Sequence, residues 1–206
     1  MINAKNITLL RNGRAIAKNF SLEIESGAIQ ALTGPNGCGK STALVAIAGD
    51  RSLYSGGIFY DELSVQEFSV LELAKKRAVV PQNQKYSLSF TVLDLLKMAV
   101  KYSGDDKSIK SAIDALAIET ILKRKVTSLS GGEQQRVTIA MALSQATPYL
   151  FLDEPFSAQD VESVERITNH LQSLAKKGVG ILLVAHRSER DLEWCSSVTR
   201  FSEARV

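Results

Sequence analysis

The chain has 206 residues, 45% hydrophobic and 23% charged, and 25 Lys and Arg against 22 Asp and Glu leave a formal charge of +3 at pH 7. That balance supports a buried core and excludes intrinsic disorder, and so small and scattered a charge gives no electrostatic footprint for nucleic acid. With 4 Pro, 13 Gly and no Pro-, Gly- or Ser-rich run, no linker is marked, and one domain over residues 1–206 is expected. Apolar runs such as residues 179–185 fall far short of the roughly 18 residues that span a bilayer. The first residues lack the basic, apolar and small-residue regions of a secretory signal, so a cytoplasmic location is expected. Cys38 and Cys195 fit a reducing compartment and form no CxxC or Cys/His cluster for zinc. The basic clusters at 75–77 and 123–125 read as solvated faces.

In chain order, residues 6–10, 20–24, 28–33 and 57–60 are short apolar segments separated by Gly or Asn, the pattern of strands and hairpins. Residues 28–33 run into a glycine-rich turn and then a helical stretch at 40–48, a strand–loop–helix unit. From 91 to about 124 the period turns helical, with Val92, Leu95, Leu96 and Ala99 on one stripe and Ile109, Ala112, Ile113 and Leu116 on another. Residues 132–146 then predict a helix apolar on most sides, 149–152 a strand, 160–176 a long helix, 179–185 a strand and 198–201 a last short strand. Strands alternating with helices at these lengths imply an α/β fold around a parallel sheet.

The segment Gly34, Pro35, Asn36, Gly37, Cys38, Gly39, Lys40, Ser41 satisfies GxxxxGK[ST] between a predicted strand and a predicted helix, with Thr42 next. Glycines at 34, 37 and 39 let the backbone wrap an anion and turn its N–H groups inward, while the following helix adds its positive end. Lys40 is placed to meet the β- and γ-phosphates, Ser41 to offer a hydroxyl to Mg²⁺, and Thr42 to brace the first helical turn. Asp153 and Glu154 end an apolar strand, where α/β folds bind ligands. Alone, such a pair is a solvated turn. Beside a phosphate loop, Asp153 suits a metal-holding role and Glu154 the activation of a water. Ser130, Gly131, Gly132 and Glu133 form a helix cap whose exposed amides can take a second anion.

The phosphate loop, Gln82 after residues 78–81, the Leu-Ser-Gly-Gly-Glu segment at 129–133, Asp153 and Glu154, the loop 157–160 and His186 occur in that order. In this the chain resembles the nucleotide-binding subunits of ATP-binding cassette (ABC) transporters over essentially its whole length. The resemblance implies an ATPase with a P-loop core: a parallel sheet, an N-terminal antiparallel β part, and a helical subdomain at about 83–130. It implies a head-to-tail dimer, expected to be a homodimer, in which Ser130, Gly131, Gly132 and Glu133 serve the partner's nucleotide beside the loop carrying Asp160. It further implies Glu154 as base for the attacking water, His186 as a contact of the γ-phosphate, Lys40 on the phosphates, and Gln82 as the link between Mg²⁺ and a membrane partner. Ser41, Gln82 and Asp153 are the implied Mg²⁺ set.

Three departures from the family pattern stand out. Residues 10–13 offer Arg11 where an aromatic residue stacks on adenine, so weak discrimination between ATP and GTP is expected. Gln159 stands where leucine is common, and Arg187 follows His186 where an acidic residue is usual. Cys38 is expected to be a small filler despite its place at a helix start, and Trp194 and Cys195 to pack the end of the chain.

The resemblance implies a separate transmembrane permease, contacting residues 82–100, and a position on the inner face of the cell membrane. Residues 72–82 and 90–92 resemble importers of iron-siderophores, haem or cobalamin, which also use an extracytoplasmic substrate-binding protein. The compact length equally resembles small export cassettes of the haem-export type. A mechanical ATPase away from membranes is the remaining alternative, although such proteins carry long coiled coils or paired cassettes. No NKxD motif supports a GTPase.

Overall fold

The computed structural model describes residues 1–101, 103–186 and 189–201. The first half runs β1 (Ile2–Arg11), β2 (Arg14–Ile24), β3 (Ile29–Thr33), α1 (Lys40–Ile47), β4 (Ser55–Tyr60), β5 (Leu63–Ser64), α2 (Val70–Lys76) and β6 (Arg77–Val80). Then follow α3 (Val92–Ala99), α4 (Asp106–Leu116), α5 (Gly131–Ser144), β7 (Tyr149–Asp153), α6 (Val161–Lys176), β8 (Gly180–Val184) and β9 (Ser197–Arg200).

Among the described residues the strands form two sheets. One is antiparallel in the order β2-β1-β4-β5, and the other is parallel in the order β6-β7-β8-β3-β9. β1 and β2 are longer than their apolar cores at 6–10 and 20–24, because register shifts between Ala4 and Leu10 break the alternation that would have marked them. Asn6 and Asn19 take left-handed backbone beside those shifts (φ 49° and 54°). Asn12 and Gly13 close the hairpin with φ of 51° and 76°, the conformation a right-twisted two-residue turn demands.

The parallel sheet is buried on both faces, and the two-residue period of its strands sorts the side chains. Leu150 and Leu152 of β7, with Ile181 and Leu183 of β8, pack under the helical layer of α3 to α6. Tyr149, Phe151, Leu182 and Val184 face α1 and the antiparallel sheet, where Ile2, Ile7 and Leu9 close the second core. An all-apolar strand is what a sheet covered on both sides requires. The stripes predicted between 91 and 124 are real: Val92, Leu95 and Leu96 of α3 and Ile109, Ala112, Ile113 and Leu116 of α4 are buried, while Ala99 is half-buried.

The basic cluster at 75–77 needs correction. Arg77 opens β6, and its side chain is only 12% exposed. Its Nε donates to the Ala48 carbonyl at 2.6 Å and its Nη2 to Asp50 Oδ1 at 2.6 Å. A guanidinium on a carbonyl at the end of α1 offsets the unpaired acceptors and negative dipole of a helix C-terminus. Arg124 in the other cluster is also engaged, with Nη1 on Glu133 Oε1 at 2.9 Å. Trp194 packs edge-on against Phe156 (6.2 Å between centroids) and Cys195 joins the same core, as expected.

Candidate active site

β3, β8 and β7 are neighbours in the parallel sheet, and their carboxyl ends bring the candidate residues together. The phosphate loop leaves β3, Asp153 ends β7, Glu154 follows it, and His186 stands two residues beyond the end of β8. Gly34 has φ 146°, and a Cβ there would lie 2.2 Å from the Phe201 carbonyl oxygen, so the turn out of β3 admits only glycine. Cys38 is buried with Sγ 3.7 Å from the same carbonyl, the filler role expected of it. Gly39, in the left-handed region, precedes α1 and supplies no side-chain cap, whereas α2 to α6 all open on capping Ser, Thr or Asp side chains. The first N–H groups of α1 therefore remain available to an anion.

Lys40 is 4% exposed, and its Nζ donates to the carbonyls of Gly34 and Pro35, both at 2.9 Å. Its ammonium is thus held inside the curl of the loop. Ser41 Oγ donates to Asp153 Oδ1 at 3.1 Å. Burial pushes the Asp153 carboxyl above the ordinary aspartate range, and the Ser41 hydrogen bond only partly opposes it. Glu154 sits in left-handed backbone (φ 52°), fixed by its N–H on the Val184 carbonyl at 2.9 Å. Both of its carboxylate oxygens are occupied: Gln82 Nε2 donates to Oε2 at 2.8 Å, and His186 Nε2 lies 2.5 Å from Oε1. Gln82 and His186, 104 residues apart in numbering, meet on one carboxylate.

Lys40, Ser41, Gln82, Glu154 and His186 line a cleft of about 530 Å³ that also takes in Asn36, Gly37, Gly39, Thr42, Arg11 and Arg51, while Asp153 reaches it only through its bond with Ser41. A volume of that order suits a nucleotide-sized ligand. Arg51 carries no sequence signal, because it follows the glycine that ends α1 and reads as turn; its Nη2 donates to the Leu10 carbonyl at 2.9 Å, next to Arg11. Ser41 and Asp153, 3.1 Å apart, and the amide oxygen of Gln82, whose nitrogen donates to Glu154, are hard-oxygen donors of the kind Mg²⁺ takes.

Ser130, Gly131, Gly132 and Glu133 are not in this cleft. They start α5 as a capping box: Glu133 N–H donates to Ser130 Oγ at 3.3 Å, and Ser130 N–H donates to Glu133 Oε2 at 2.8 Å. The Ser130 backbone N–H holds the Glu133 carboxyl below the usual range. Asp160 likewise caps α6, with Oδ1 accepting from Ser163 N–H at 2.7 Å, and that bond lowers its pKa. Arg187 lies outside the described residues.

The raised pKa of Asp153 has a consequence for stability. A native carboxyl that holds its proton more tightly than the unfolded chain does destabilises the fold once it ionises, so stability falls as pH rises from the ordinary aspartate value through the raised one. Asp153→Asn should therefore raise the thermal midpoint of the nucleotide-free chain at pH 7. The gain should shrink towards pH 4 and be accompanied by loss of ATP turnover. Thermal scans at both pH values, with a phosphate-release assay, check this; a lowered midpoint at pH 7 would contradict it.

The ABC transporter family model matches residues 17–157. The hemin import ATP-binding protein HmuV of Rhodococcus jostii (strain RHA1) is 32% identical over 212 residues, covering 100% of this chain and 73% of that protein. The HmuV of Bordetella pertussis (strain Tohama I / ATCC BAA-589 / NCTC 13251) is 33% identical over 220 residues, covering 100% of this chain and 84% of its own length. Among solved structures, a dimeric bacterial ABC transporter cassette superposes with a TM-score of 0.84 at 27% identity, covering 98% of this chain and 94% of its own. No described helix is long and apolar enough to cross a membrane. The order of motifs, the sheet that gathers them and these matches lead to one assignment: the chain belongs to the ABC transporter family, as an ATP-binding, ATP-hydrolysing subunit.

Proposed function

We propose that this subunit powers import of a haem-like metal chelate through a separate transmembrane permease, working as one of two identical ATPase subunits on the cytoplasmic face of the membrane. The observation that carries the catalytic part is the convergence of Lys40, Ser41 and Glu154, the last clasped by Gln82 and His186, around one cleft, with Asp153 bonded to Ser41. The lean towards import rests on the named function of the relatives, which are hemin import proteins. An extracytoplasmic binding protein belongs to that reading as the supplier of cargo.

The roles follow from the chemistry of each group. The α1 N–H groups and Lys40 bind the phosphates, with Nζ exchanging its loop carbonyls for phosphate oxygens. Ser41, Asp153 and Gln82 are placed to hold Mg²⁺, which when bound supplies charge neutralisation on the β- and γ-phosphates. Glu154 accepts a proton from the water whose oxygen attacks the γ-phosphorus, as the bond to the ADP oxygen breaks. His186 orients that carboxylate and stands within reach of the γ-phosphate. Ser130 and Gly132, outside the cleft, complete the partner's site with the N–H groups of α5, and Asp160 holds the start of α6 at that junction.

The test is affinity capture of the tagged chain from detergent-solubilised membranes of the native host, with the bound proteins identified by mass spectrometry. Recovery of a multispanning permease together with an extracytoplasmic binding protein is expected. Recovery of a permease without a binding protein, whose transport assay in vesicles runs outward, would replace import by export. Capture of soluble partners alone would overturn the transport reading.

A further inference from the structure

We propose that Arg124 is a positioning residue for the turn at 130–133: it cancels the charge of Glu133, so that the start of α5 can take a polyphosphate. Ser130 and Gly131 are exposed, and a Cβ added to Gly131 would meet nothing within 4 Å, so the turn faces open space. The N–H groups of Gly131 and Gly132 open a helix of 14 residues and have no acceptor inside it, which makes them the free donors of the turn.

Glu133 works against such a ligand. The Ser130 backbone N–H above all holds its carboxyl below the usual range, so the side chain is ionised at pH 7. A carboxylate in the first turn stabilises a helix, yet it repels any anion brought to the same N–H groups. Arg124 answers that charge. Its Nη1 donates to Glu133 Oε1 at 2.9 Å, the oxygen that Ser130 leaves free, and its Nη2 donates to the Ser128 carbonyl at 3.1 Å. Of the three basic residues at 123–125, it is the one paired with Glu133 among the described residues. The backbone that carries the guanidinium is fixed on both sides: Arg124 N–H donates to the Ile121 carbonyl at 2.9 Å, and the Arg124 carbonyl accepts from the N–H of Val92, the first residue of α3, at 3.1 Å. The positive charge is therefore held in place before any ligand arrives, and the fork of the guanidinium reaches the carboxylate and the carbonyl together.

This role rests on the reading that two subunits meet head to tail, because only then does a nucleotide reach the turn at 130–133, which lies outside the chain's own cleft. Under that arrangement Arg124 acts through Glu133 on ATP-driven pairing, and it leaves the binding of ATP to a single subunit alone. Its effect is one of charge, so it must depend on the presence of the Glu133 carboxylate and on salt.

The experiment follows dimer formation by light scattering across ATP concentrations, in a Glu154→Gln background that does not turn ATP over, with Arg124→Gln, Arg124→Lys and the double variant Arg124→Gln/Glu133→Gln. Arg124→Gln should raise the half-maximal ATP concentration by about five- to ten-fold at low salt, and about 0.5 M salt should shrink that gap. Arg124→Lys keeps the charge and should stay within about two-fold of the background. The double variant removes the carboxylate while its amide oxygen still accepts from the Ser130 N–H, so pairing should return to within about two-fold of the background. A lost structural support would not be restored in this way. A double variant as impaired as Arg124→Gln, or an Arg124→Gln chain that pairs like the background, would overturn the role. Failure of the paired reading shows itself separately: a Glu154→Gln chain with Arg124 intact that stays monomeric at saturating ATP overturns head-to-tail pairing and this role with it, whereas a dimer indifferent to Arg124 overturns this role alone.

Discussion

Glu154→Gln should lower steady-state phosphate release by at least about 100-fold, the range typical for loss of a positioned general base, while ATP affinity stays within about two-fold. The separation of binding from chemistry follows from where Glu154 stands. Its carboxylate is held by Gln82 and His186, whereas Lys40 is held by the Gly34 and Pro35 carbonyls, so an isosteric amide leaves the anion-binding groups in place. What disappears is the carboxylate that faces the cleft, since the neighbouring Asp153 accepts the hydrogen bond of Ser41. ATP that binds and cannot be cleaved should hold paired subunits closed, so the variant should elute as a dimer with ATP and as a monomer without it. Phosphate release at the wild-type rate would remove Glu154 from the role of base.

Lys40→Ala should act on the other half of the cycle and weaken ATP binding by about 10- to 100-fold, as expected for loss of a charge-assisted hydrogen bond from a ligand phosphate. The side chain is buried, so the variant also leaves the Gly34 and Pro35 carbonyls without their present donor. Calorimetric titration with a non-hydrolysable ATP analogue measures the affinity, and a thermal scan of the free chain separates it from a loosened loop. Unchanged affinity in a folded variant would contradict the phosphate-loop assignment.

Much of this site is legible in the sequence because its parts are fixed by local spacing. The run from Gly34 to Thr42 carries its own backbone geometry, and Asp153 with Glu154 closes an apolar strand that only a doubly covered sheet explains. The meeting of Gln82 and His186 on Glu154 is a product of strand order, since β6, β7 and β8 are adjacent in the sheet but far apart in the chain. The full length of the antiparallel strands is hidden in the sequence because bulges and left-handed Asn residues interrupt a period of two. α2 carries a capping box of Ser69 and Glu72 but no sequence stripe to mark it, because Val70 and Leu71 at its start are 89% and 46% exposed. In the run of three basic residues at 75–77, nothing local shows that Arg77 is the one that turns inward.

The brace on the phosphate loop bears on when an ATP site can exist during synthesis. Gly34 and Cys38 lie against the carbonyl of Phe201, whose N–H donates to Thr33 at 2.7 Å and whose ring stacks edge-on with Phe20, 4.9 Å between centroids. Phe201 in turn follows β9, the edge strand beside β3. On a ribosome the glycine loop emerges more than 160 residues before the carbonyl it leans on, a separation of 163 between Cys38 and Phe201. The nascent chain can therefore carry the whole glycine-rich segment while still lacking one wall of the loop, which is complete only once Phe201 has been made and has docked beside β3.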